Sequence, residues 1–185
     1  MVLITQSGTE TLPLGAPAPD FSLPGTDGKT YTLTSFASAN LLVVAFTCNH
    51  CPYALGVEDR FIRLAKTYQQ KGVAFVAISA NDATKYPADS FAEMAKRATE
   101  KGYPFPYLYD EPQSVAKAYG AVCTPHLFVF DTHRSLIYEG RIDDNWKDET
   151  AVKHHDLRDA LDAALAGKPV PKAQTNPMGC SIKWK

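Results

Sequence analysis

The chain has 185 residues, 45% of them hydrophobic and 21% charged, with a formal net charge of −1. That length supports one domain with a sizeable core, the near-neutral charge without a basic block excludes an electrostatic nucleic-acid or acidic-membrane surface, and no apolar run approaches the roughly 20 residues of a membrane span. Four cysteines are too few for a disulfide scaffold and fit redox-active or metal-binding thiols in a reducing compartment, the cytoplasm, a location consistent with residues 1–7, which lack the charged and long apolar regions of a signal peptide.

Three prolines between residues 13 and 20 rule out a helix there. Phe21 to Leu33 alternates weakly and turns at Gly25-Thr26-Asp27-Gly28, which predicts an N-terminal β-hairpin. Leu41 to Thr47 is apolar on both faces, the pattern of a buried central strand. A helix is expected after Gly56, with Val57, Phe61, Leu64, Ala65 and Tyr68 at helical spacing and Gly72 as its stop. Val73 to Ser79 predicts a second buried strand. Asp89 or Ser90 can cap a helix whose inner face is Phe91, Met94, Ala95 and Ala98, ended by Gly102.

Phe105 to Tyr109 then reads as a short strand, and Pro112 to Tyr119 as a short helix with proline near its first turn. His126–Phe130 and Ser135–Tyr138 alternate across a polar turn, a second hairpin. Glu149 to Ala166 predicts the last helix, with Leu157, Ala160, Leu161, Ala164 and Leu165 as its apolar stripe. No repeat or linker divides the chain, so residues 1–185 read as one domain with 168–185 as a C-terminal tail. Alternating β and α elements followed by a hairpin imply an α/β fold, a central mixed β-sheet flanked by helices.

Cys48-Asn49-His50-Cys51 follows the Leu41–Phe46 run directly. Two cysteines at this spacing, on a strand leading into a helix, suit dithiol chemistry: one thiolate attacks a disulfide and the other resolves the mixed disulfide. Zinc ligands share the spacing, and two inert core thiols are the structural alternative, which the polar Asn49-His50 pair disfavours. At a helix N-terminus the dipole and free N–H groups lower a thiol pKa. Cys48 is therefore the expected exposed attacker and Cys51 the resolving thiol.

With this motif and Thr124-Pro125 before a later strand, the chain resembles the thioredoxin superfamily. More specifically it is similar to the redoxin family of alkyl hydroperoxide reductases and thiol-specific antioxidants, through Gly15-Ala16-Pro17-Ala18-Pro19-Asp20-Phe21-Ser22-Leu23 and Asp27-Gly28-Lys29. A peroxiredoxin-like subgroup, itself without an assigned substrate, matches further. The motifs are Thr47-Cys48-Asn49-His50-Cys51-Pro52-Tyr53, Cys123-Thr124-Pro125, Gly140-Arg141-Ile142-Asp143-Asp144 and Gly179-Cys180-Ser181-Ile182-Lys183-Trp184. The resemblance implies a thioredoxin-like fold with Pro125 in the cis form, packed against the dithiol. By analogy with peroxiredoxins, Cys51 is the alternative peroxide-reactive thiol.

Two departures stand out. Peroxiredoxins place threonine three residues before the peroxide-reactive cysteine, whereas Thr47 is adjacent to Cys48 and four before Cys51. Thioredoxins carry a tryptophan before the first cysteine and a buried acid in the preceding strand; here Thr47 holds the first position and Leu41–Phe46 contains no carboxylate, which leaves the proton-transfer group unassigned.

His50 resembles the histidine between the cysteines of dithiol oxidants and isomerases. A positive imidazole stabilises the thiolate, so a potential above the roughly −270 mV of thioredoxin is expected; a solvent-exposed histidine without a role is the alternative. Cys123 and Cys180 are candidate accessory thiols, or ordinary buried hydrophobes. Arg141 is a candidate for steadying a thiolate or an anionic substrate, or half of a solvated ion pair with Asp143 or Asp144. His154 and His155 read as a polar face of the last helix.

The leading expectation is a thiol–disulfide oxidoreductase needing no cofactor. It acts on protein or small-molecule disulfides and is reset by glutathione or a thioredoxin-type reductant. A thiol-dependent peroxidase resolved through the second cysteine and a metal-binding module using Cys48, His50 and Cys51 are the alternatives.

Overall fold

The structure is a computed structural model that describes residues 11–185 and, for the backbone, 2–4. Most of the leading segment, residues 1–7, lies outside the described residues. The described elements are β1 (Val2–Ile4), β2 (Ser22–Pro24), β3 (Thr30–Thr32), β4 (Leu41–Phe46), α1 (Pro52–Gln69), β5 (Val73–Ser79), α2 (Phe91–Lys101), β6 (Tyr107–Tyr109), α3 (Ser114–Tyr119), β7 (Cys123–Thr124), β8 (His126–Phe130), β9 (Leu136–Gly140), α4 (Asp156–Leu165) and β10 (Met178–Ser181). Five strands form the central sheet in the order β6-β5-β4-β8-β9. β4, β5 and β6 run parallel, while β8 and β9 are antiparallel to their neighbours.

β4 has its continuous apolar run because both faces are covered. Leu41, Val43 and Ala45 pack with α1 and α4, and Leu42, Val44 and Phe46 pack with α3 and the β2–β3 hairpin. The hairpin forms as the Asp27-Gly28 turn predicts, pairing Leu23 with Tyr31. This mixed sheet with helices on both faces is a thioredoxin-like fold.

Several boundaries differ from expectation. The helix expected after Gly56 begins at Pro52, with Cys51 as N-cap. Proline suits a first turn, whose N–H groups lack helical partners anyway. Gly56 lies inside α1, where a Cβ would stand 2.6 Å from the Trp146 carbonyl oxygen, so a loop closes onto the helix there. α3 starts at Ser114, because Gln113 is left-handed (φ 64°) and its side chain bonds the Ala80 and Lys183 carbonyls and the Lys185 N–H.

The last helix shortens at its start. The N–H groups of Lys153 and His154 bond the Asp144 carboxylate, so α4 opens at Asp156. His154 and His155 thus precede the helix. Phe91, expected on the inner face of α2, is exposed, while Met94 is buried.

The largest difference is in residues 168–185. Rather than a plain tail, they contain β10, which sits between β1 and β7 in a separate antiparallel sheet and pairs Cys180 with Thr124. Gly-Cys-Ser carries little strand propensity, and both of its partners are remote in sequence.

Candidate active site

The chain leaves β4 at Phe46, and Thr47 still donates its N–H to Ile78 O at 2.9 Å. The Cys48–Cys51 loop is then held by Asp89, at the end of a 3-10 turn over Pro87–Asp89. Asn49 N–H donates to Asp89 Oδ1 at 2.7 Å, and His50 Nδ1 lies 2.5 Å from Oδ2. Asn81 Nδ2 donates to the same Oδ2 at 2.8 Å. The His50 ring stacks on Tyr86, centroids 5.1 Å apart. Asp89 is fully buried, so the buried acid missing from β4 arrives from another element. The sequence offered it only as a helix cap, a position that Ser90 takes.

Thr124 closes the other side. Its Oγ1 lies 3.2 Å from Cys48 Sγ, and its carbonyl accepts from Cys51 Sγ at 3.0 Å. The Thr124-Pro125 peptide is cis. Pro125 borders an apolar cavity with Ala54, Val57 and Thr47, so Thr47 belongs to that cavity's lining, consistent with its unusual spacing from the cysteines.

The exposed, acidified Cys48 expected from sequence is not observed. Cys48 is 3% exposed and Cys51 0%. The Cys48 thiol is pushed well above its ordinary value by its partner Cys51, by burial and by the Asp89 charge. The Cys51 thiol is pulled down to about 4, first by Cys48 and then by the Cys180 thiol and the N–H groups of Ala54 and Cys180. The Thr124 carbonyl opposes loss of the Cys51 proton, but the converging donors outnumber it. The pair titrates together, and these contacts favour the proton on Cys48 and the charge on Cys51. The helix N-terminus acts as expected, on the second cysteine rather than the first.

Cys180 is half-buried and packs on the same cluster. Cys123 is buried, contacts Pro125 O at 3.7 Å and has its thiol raised to about 12 by burial; it behaves as a core hydrophobe. Arg141 donates to Asp156 at 2.7 Å and makes an ion pair away from the sulfurs. Asp143 pairs with the buried Arg60, and Asp144 caps the turn before α4. None of these three charges touches a thiol.

Donor atoms of Cys48, His50 and Asp89 lie within 4.8 Å of one another, so Asp89 takes the place expected for Cys51 in a metal set. A cysteine, histidine and carboxylate suit zinc. Here, however, both Asp89 oxygens are already hydrogen-bonded, to Asn49 and His50 of the loop and to Asn81 beyond it.

The Asp89 charge opposes ionisation of Cys48 and offsets the oxidising bias expected of His50 alone. Asp89→Asn removes the charge that raises the Cys48 thiol, so the Cys48 proton is expected to come off at lower pH in the reduced variant than in wild type. Thiolate ultraviolet absorbance across alkaline pH measures it; a Cys48 proton held to higher pH in the variant would contradict the assigned role of Asp89.

Fold and paired thiols together define a thioredoxin-like protein. Residues 13–161 match the family described as Redoxin, and the chain belongs to the redoxin family. It is 48% identical to an uncharacterized conserved protein from Geobacillus kaustophilus, with a TM-score of 0.88 over 94% of this chain and 93% of that one. A hypothetical protein, SMc02350, from Sinorhizobium meliloti 1021 is 41% identical, with a TM-score of 0.90 over 95% and 96% of the two chains. Among curated proteins, thiol-disulfide oxidoreductase ResA of Geobacillus thermodenitrificans (strain NG80-2) is 27% identical over 120 residues, 64% of this chain. The chain spans 63% of that relative's length.

Proposed function

We propose that the protein is a thiol–disulfide oxidoreductase whose working couple is the Cys48–Cys51 dithiol and disulfide. The observation that carries this is the pair of sulfurs held on either side of Thr124, Cys48 Sγ at its hydroxyl and Cys51 Sγ at its carbonyl. In the reducing direction the two cysteines give two electrons to a disulfide, which leaves as two thiols with one proton from Cys48 and one from solvent, and Cys48–Cys51 becomes the disulfide. A thiolate held down to about 4 at Cys51 stabilises the reduced form and supports a potential above the roughly −270 mV of thioredoxin. The substrates we assign are protein or small-molecule disulfides, and the resetting reductant is glutathione or a thioredoxin-type protein. The similarity to ResA supports the same class. The low cysteine count supports a reducing compartment, the cytoplasm.

Insulin reduction with glutathione as electron source tests the proposal. Turnover that disappears in both Cys48→Ser and Cys51→Ser is expected; turnover unchanged in both variants would refute it. A second activity, thiol-dependent peroxide reduction, is favoured by the same Cys51 thiolate, the species that reacts with peroxide. Peroxide loss coupled to thiol oxidation reports on it.

A further inference from the structure

The dithiol is closed to solvent, with Cys48 3% and Cys51 0% exposed, yet exchange with an outside thiol or disulfide requires access to a sulfur. Of the four cysteines only Cys180 is not buried. Resting on the disulfide-exchange function above, we propose that Cys180 is a third redox cysteine. It draws the disulfide from Cys48–Cys51 onto Cys51–Cys180 and presents it at the surface.

The placement of Cys180 is built into the backbone. β10 pairs Cys180 with Thr124, the residue between the two buried sulfurs, and β1 pairs with the other edge of β10. Gly179 lies so close to the Thr124 carbonyl that no Cβ fits. Beyond the strand, Lys183 N–H bonds Asn81 Oδ1 at 2.8 Å, tying the segment to the residue that holds Asp89. Cys180 packs against the cluster of Cys48, Cys51 and Ala54, and both its thiol and its N–H act on Cys51. Cys51 is thus the sulfur that both Cys48 and Cys180 act on. Cys123 is no competitor, being buried against the Pro125 carbonyl.

The chemistry balances without any added oxidant. In the oxidised protein Cys180 Sγ attacks Cys51 Sγ; the Cys51–Cys180 bond forms, the Cys48–Cys51 bond breaks, and the Cys180 proton ends on Cys48. An outside thiol then attacks Cys180 Sγ, releasing Cys51 as thiolate and its own proton to solvent. A second thiol attacks the outside sulfur of that mixed disulfide, leaves as the outside disulfide and returns Cys180 to the thiol. Two thiols have become one disulfide, and the protein has gained two electrons. Reversal reduces an external disulfide.

The electrostatics suit each step. A low-pKa sulfur leaves readily, and Cys51, held to about 4, is the leaving group when the outside thiol attacks. The Cys51 charge is one of the causes that raise the Cys180 thiol to about 11; that charge is absent while Cys51 is in a disulfide, which is when Cys180 must attack.

The test uses glutathione as the reductant. In Cys180→Ser, oxidation of Cys48–Cys51 by oxidised glutathione and its reduction by glutathione both slow at least tenfold. In Cys48→Ser, oxidation followed by peptide mass mapping gives a Cys51–Cys180 crosslink. An unchanged reduction rate in a Cys180→Ser protein that melts like wild type overturns the relay while leaving disulfide exchange intact. If Cys180→Ser is destabilised, the Cys48→Ser map decides: the crosslink upholds the relay, and a freely alkylated Cys51 and Cys180 overturn it. Failure of wild type to form any Cys48–Cys51 disulfide instead removes the underlying function and the relay with it.

Discussion

Replacing Cys51 with serine is expected to abolish disulfide exchange, by at least about a thousandfold, as loss of a covalent nucleophile does. It should also remove the one thiolate that persists in mildly acid solution. In the folded reduced protein Cys51 is expected to lose its proton near pH 4, pulled down by Cys48, Cys180 and the Ala54 N–H, against about 8.5 in an unfolded chain. Between those values the folded state binds fewer protons at this position. The stabilisation is therefore complete above the unfolded value and is lost as pH falls toward 4. Cys48 works in the opposite sense, since its pKa is raised: its contribution holds below the unfolded value and is lost as pH rises past it. The reduced protein should accordingly gain stability relative to Cys51→Ser from about pH 5 to about pH 8. Thiolate ultraviolet absorbance and melting temperatures of the two proteins across that range measure both effects. A wild-type thiolate that titrates near pH 8 would reject the charge assignment.

Arg60→Leu is expected to be the most destabilising single change away from the thiols. The Arg60 guanidinium is buried and bonds Asp143 Oδ2 at 2.5 Å, Asn145 O at 2.9 Å, Trp146 O at 2.9 Å and Gly56 O at 3.1 Å. Leucine leaves a buried carboxylate and three carbonyls without their donor, a loss of about 3–5 kcal/mol. For a chain of this size that lowers the melting temperature by roughly 10 °C. The double variant Arg60→Leu/Asp143→Leu should recover part of the loss, because the stranded charge is gone. Urea unfolding of the single and double variants supplies the comparison. A single-variant loss below about 1 kcal/mol would place the pair among weak surface contacts.

What could be read from the sequence was local. Leu41–Phe46 declared a strand covered on both faces, the two cysteines followed it directly, and Thr124-Pro125 stood before the next apolar strand, so the sheet and the heart of the site were legible. The missed parts depend on contacts between remote residues. Asp89 meets His50 across 39 positions, and nothing in Ala88-Asp89-Ser90 separates a buried carboxylate from a helix cap. β10 was unreadable for the same reason: strand pairing with Thr124 and with β1 creates it, not its own propensity. Arg141 and Asp143 drew notice as charges in a motif, but their partners, Asp156 and Arg60, make them scaffold. The helix expected after Gly56 begins five residues early, at Pro52, because Gly56 serves a close approach rather than a boundary.

That close approach gives the protein an optical gauge of its own state. Trp146 seats its carbonyl on Gly56 and its ring on Tyr53, centroids 4.3 Å apart, one turn from Cys51. Trp184, the other of two indoles in the chain, lies past Ser181 beneath Lys117. The two indoles thus sit in different surroundings, Trp146 on the first turn of the helix that Cys51 caps and Trp184 in the segment that follows β10. Trp146 emission is expected to report on the Cys51 end of α1, so oxidation can be followed in the unlabelled protein by fluorescence.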